Sequence, residues 1–195
     1  MREWKSKTNM VALAEIADHA MTRGLPWASH IPVSGFHADR SRRISLYRVV
    51  ASVSSMQYPE SCHSYGLRWF VKSTDGRFIS VDAILKDQQL IGCSIHGAEI
   101  TSNWLATLHR LERRKGVSAA GMEPGFLSVP AYRLEFISFY RGGLSQEDLL
   151  VGVDALGHAS LRVPWLRAFE LVAVVRGAAQ EFQRRTSSAR GKSRN

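Results

Sequence analysis

Three sets of residues have the types that acid–base, metal or nucleophilic chemistry requires. His63, His96 and His158 can serve as a base beside Asp82 or Asp154, since imidazole titrates near neutral pH and a carboxylate orients it. Of these, His158 with Asp154 is the candidate catalytic pair for a small hydrolase or transferase. The plainer reading places Asp154 on an exposed flank and Asp82 across from Arg68 in a neighbouring strand. The tripeptides Val81-Asp82-Ala83 and Val153-Asp154-Ala155 match, but their flanks differ and no duplication follows.

Cys62-His63 and Cys93-x-x-His96 supply thiolate and imidazole, which suit zinc. Their spacing fits no common zinc module, and Cys93 and His96 fall on opposite sides of an extended strand. Two unrelated buried thiols near sheet ends are the simpler expectation, and no cofactor is implied. The chain carries no Walker A loop, dinucleotide fingerprint, nucleophile elbow or HExxH.

Cations outnumber acids, 26 Lys and Arg against 17 Asp and Glu, for a net charge of +9. Five of those charges, Arg184, Arg185, Arg190, Lys192 and Arg194, lie in the C-terminal stretch, which has no acid. With Arg40, Arg42 and Arg43 they form the candidate polyanion-binding set, giving salt-sensitive contact with nucleic acid without base specificity. No zinc-finger, RNA-recognition or KH signature accompanies them. A further cluster, Arg110, Arg113, Arg114 and Lys115, suits the negative end of a helix dipole.

Aromatic residues carry the leading expectation, a soluble protein-interaction or adaptor protein. Trp69, Phe70, Phe78, Tyr132, Phe139 and Tyr140 lie in alternating stretches, and Phe70 and Phe139 are the named candidates for contact with another protein or a second copy. The competing reading is that helices cover both sheet faces and these rings are core. Two cysteines do not make a disulfide scaffold, the N-terminal apolar run contains Glu15 and Asp18, and no stretch nears the roughly twenty apolar residues of a membrane span. A cytoplasmic protein without membrane insertion is expected.

The elements that must position these residues are those of an α+β fold, one domain with a mainly antiparallel sheet covered by helices. Its clearest part is a hairpin from Tyr65 to Leu85. A bulged Thr74-Asp75-Gly76 loop sets Trp69 opposite Val81, Val71 opposite Ile79, Arg68 opposite Asp82 and Phe70 opposite Ser80. A helix over 9–23 ends at Gly24; an ordered excursion fills 25–43; a strand over 44–54 turns Tyr47, Val49, Ala51 and Val53 inward. Residues 90–95 make a short strand, and Thr101 or Ser102 caps a helix ending near Lys115, with Trp104, Leu105, Leu108 and Leu111 on one stripe.

Beyond Val117 an aperiodic connection reaches Pro130, read as a crossover in preference to a lid. Residues 132–141 form a strand apolar on both sides, central or facing a partner. Over 149–155 the Ser145, Asp148 and Gly157 boundaries favour a short helix over a strand. Pro164 opens a final helix that fades near Arg185, so that 1–185 forms the compact domain and 186–195 a flexible basic tail.

Overall fold

The Tyr65–Leu85 hairpin forms in the anticipated register. In the computed structural model, which describes residues 13–25, 42–52, 54–72, 76–87, 89–114, 121–154 and 165–192, β2 (Cys62–Lys72) runs antiparallel to β3 (Phe78–Lys86). Arg68 pairs with Asp82, Trp69 with Val81, Phe70 with Ser80 and Val71 with Ile79. Gly76 takes a φ of 86°, the left-handed backbone that a bulged loop needs; Thr74 and Asp75 lie outside the described residues.

The other elements are α1 (Leu13–Thr22), β1 (Arg42–Val49), β4 (Gln89–His96), α2 (Ala98–Glu112), β5 (Glu123–Val129), β6 (Leu134–Tyr140), β7 (Leu149–Val153), β8 (Leu166–Arg167) and α3 (Leu171–Lys192). Among the described residues, eight strands in the order β4-β3-β2-β1-β5-β6-β7-β8, with three helices packed against them, make the expected α+β fold with a mainly antiparallel sheet. The chain resolves into two compact units, Met1–Leu46 with Tyr65–Ala106 and Tyr47–Ser64 with Thr107–Asn195.

In the first unit, strand alternation sorts apolar from polar residues. Leu67, Trp69, Val71, Ile79, Val81, Ala83 and Leu85 form one face, joined by Ile16 from α1 and flanked by Leu90, Cys93 and Ile95. The opposite face carries Arg68, Phe70, Ser80 and Asp82. Gly24, at φ 65°, closes α1 as expected: the Leu25 amide bonds the Ala20 carbonyl and the Gly24 amide that of Met21, a Schellman ending. Helix α2 starts at Ala98, so Thr101 is not its cap; its hydroxyl instead donates to the His96 carbonyl and lies 3.3 Å from Ser80 Oγ.

The second unit is built on β6, whose Phe136, Ile137, Ser138, Phe139 and Tyr140 are all buried. It is therefore the covered central strand, and its aromatic side is not left for a partner. Two expectations fail here for one reason. Strand β5 occupies Glu123–Val129, within the stretch expected to be irregular, and β7 occupies Leu149–Val153 in place of the favoured helix. Both have consecutive buried residues, Phe126 with Leu127 and Leu150 with Val151, because both faces are covered and alternation disappears. Branched Val151 and Val153, with Gly152 between them, suit a strand better than a helix.

The helix expected to begin at Pro164 begins at Leu171. Pro164 lies outside the described residues, Leu166 pairs with Leu150 in β8, and Phe169 stands exposed in a 3-10 turn. The backbone of α3 continues through Lys192, past Arg185. Strand β1 stops at Val49, with Ile44 and Leu46 buried as well as Val49, so its inward side is not confined to the expected set. The excursion over 25–43 lies almost wholly outside the described residues.

Candidate functional site

Three strands bring charged groups together on the polar face of the first unit. Arg68 on β2 and Asp82 on β3 are cross-strand partners, while His96 at the end of β4 pairs with Ser80 and stands diagonal to Asp82. Arg68 Nε donates to Asp82 Oδ1 at 2.6 Å and Nη2 to Oδ2 at 2.8 Å, a bidentate fork. Trp104 of α2 lies over the guanidinium, 3.9 Å from Arg68 Cζ to the ring centroid, and meets the His96 ring edge-on at 4.9 Å.

The hydrogen bonds orient the His96 ring. His96 Nε2 lies 3.0 Å from Asp82 Oδ2 and 3.2 Å from Arg68 Nη2. Arg68 Nη2 already donates to that carboxylate oxygen, and a bare Nε2 lone pair would face the negative charge. Nε2 therefore carries a proton and donates to Asp82. Burial acts to raise the Asp82 pKa, but the hydrogen bonds and charges of Arg68 and His96 outweigh it and hold the carboxyl below its ordinary range. The side chains of Arg68 and Asp82 are 6% and 9% exposed against 27% for His96, so only the imidazole has appreciable access to solvent.

A second polar centre, in the second unit, surrounds Asp148, which is 1% exposed. Its Oδ2 accepts from the Tyr58 hydroxyl at 2.6 Å and the Ser145 amide at 2.9 Å, and Oδ1 accepts from Ser145 Oγ at 3.0 Å. Burial raises the Asp148 carboxyl above its usual value against the lowering pull of these bonds. Burial, reinforced by Asp148, pushes the Tyr58 phenol up as well. Burial again, with the Asp148 and Glu60 charges, drives the Cys62 thiol to about 12, so Cys62 is not an activated nucleophile. In the sequence Ser145 and Asp148 stand out only as a local pair resembling a helix start; their partner Tyr58 is distant in the chain.

The anticipated catalytic pair falls only in part within the described residues. Asp154 is exposed just after β7, and His158 lies outside them. Phe70 and Phe139, named for partner contact, are 1% and 0% exposed and belong to the core. Phe139 instead stacks on Trp165, centroids 6.3 Å apart, with Arg114 over the Trp165 ring at 4.6 Å. Arg42 and Arg43 lie in β1, Arg184 is exposed on α3, and Arg185, Arg190 and Lys192 lie on its backbone; Arg40 and Arg194 are outside the described residues.

Cys62 and Cys93 are free thiols, and among the described residues no group of three or more His, Cys, Asp or Glu could hold a metal ion. No described helix is long and apolar enough to cross a membrane. Comparison with known proteins adds no relative: no family model, curated protein or solved structure matches this chain.

Proposed function

We propose that the chain is a protein-interaction module that pairs with a second copy of itself along β4. The observation that carries this reading is the position of β4 at the end of the strand order, with no strand on its outer edge among the described residues. Its sequence, Gln89 to His96, holds no proline and no Lys, Arg, Asp or Glu, the residues that ordinarily blunt a sheet edge. A register shift opposite Ile84 and Leu85 leaves Ile91 out of the ladder and 48% exposed, while Gly92–His96 stay regular. Antiparallel pairing about a two-fold axis would satisfy this edge on both copies at once. The Arg68–Asp82–His96 cluster supports the reading by tying the end of β4 to the two strands behind it.

Sedimentation equilibrium over a range of concentrations and salt tests it. The wild-type chain is expected to form a dimer that tightens as salt screens the repulsion between two basic copies, and Ile91→Lys is expected to stay monomeric. A wild type that remains monomeric throughout, or an Ile91→Lys variant that dimerises equally, overturns the reading.

A second reading, hydrolysis or group transfer by a histidine–acid site, is favoured by one observation. Asp82 holds the part-exposed His96 ring through Nε2, as a carboxylate orients a histidine base. Turnover of activated esters and phosphoesters by the wild type that disappears in His96→Gln supports it; equal rates retire it.

A further inference from the structure

Between the C-terminal half of α1 and the start of β4 lies an open cavity of about 480 Å³, walled by Asp18, His19, Thr22, Arg23 and Leu90. It shares no residue with the Asp82 or Asp148 centres, and its volume falls in the range of small-molecule sites.

The walls carry unspent polar capacity. Asp18 and Arg23 are exposed, opposite in charge, and among the described residues neither side chain makes an ion pair or hydrogen bond. Thr22 is already committed, its hydroxyl donating to the Asp18 carbonyl at 2.8 Å. Arg23 lines the cavity together with Leu90 of β4. Leu90 supplies the apolar wall and packs against the core of the first unit.

One fixed charge of each sign selects the ligand class. A simple anion would confront Asp18 and a simple cation Arg23, whereas a molecule carrying both signs meets a partner at each. We propose that this cavity binds a small zwitterion of the amino-acid or dipeptide class. Its ammonium pairs with Asp18, its carboxylate with Arg23, and its apolar side chain lies on Leu90. The proposal does not depend on pairing along β4.

Titration calorimetry of the full chain with leucylleucine, its N-acetyl form and its C-terminal amide tests this. The free dipeptide is expected to bind, and each cap to weaken binding roughly tenfold or more by deleting one charge-assisted interaction. Asp18→Asn should erase the discrimination against the N-acetyl form and Arg23→Gln that against the amide. Both replaced side chains are exposed, and thermal melts confirm that the variants fold. No binding of the free dipeptide at millimolar concentration, equal binding of the capped forms, or unchanged discrimination in both variants overturns the proposal.

Discussion

At the scale of single residues, the two buried carboxylates have opposite linkage to pH. The native pKa of Asp82 is depressed, so its stabilising contribution is present above the ordinary carboxyl value of about 3.9 and is lost as pH falls through the native value. The native pKa of Asp148 is raised, so its contribution is present below the ordinary value and is lost as pH rises through the native one. Asp82→Asn should cost about 3–5 kcal/mol near neutral pH, because it strands the buried Arg68 charge, and the loss should shrink in acid. Asp148→Asn can still accept from Tyr58 and should cost less than about 1 kcal/mol at neutral pH. Its stability relative to wild type should improve as pH rises. Urea unfolding of both variants across pH checks the two slopes; parallel slopes would contradict the assignment. The Arg68 and Asp82 pairing was legible from strand alternation alone. His96 joined them only through the diagonal placement that β4 provides, and Tyr58 reached Asp148 only through the fold.

Among the elements, the β2–β3 hairpin is the most constrained. Gly66 sits on β2 beside β3, and a Cβ added there would run into the Ala83 carbonyl oxygen. A backbone oxygen in a hydrogen-bonded sheet has nowhere to retreat, so Gly66→Ala should destabilise the chain by about 3 kcal/mol, whereas a glycine with open space around it, such as Gly177, should accept alanine readily. Thermal melts of the two variants make the comparison; equal midpoints would mean that the hairpin packs less closely than described. The hairpin and α1 announced their period in the sequence, the hairpin because its second buried face is largely polar, carrying Arg68, Ser80 and Asp82. Strands β5 and β7 did not, because apolar residues on both buried faces remove the alternation that distinguishes a strand, and a long apolar run serves helix and strand equally.

For the whole molecule, charge is the property that acts at a distance. Removing residues 186–195 deletes Arg190, Lys192 and Arg194, and with them three of the nine net charges. If these cations meet phosphates, the slope of log affinity for a nucleic acid against log salt should lessen by roughly 0.9 for each phosphate that no longer meets its cation on a duplex, or about 0.7 on a single strand. Filter binding of the full and shortened chains to one oligonucleotide measures this, and identical slopes would remove the C-terminal cations from any such role. Composition, charge, the hairpin register and the helix ending at Gly24 were determined by the sequence itself, because each depends on near neighbours or on sums over the chain. Which strands lie in the middle, whether aromatic rings face solvent, and which acid meets which base were decided by tertiary structure. Those outcomes depend on surfaces brought together from far apart in the chain, and a local pattern holds no record of what will cover it.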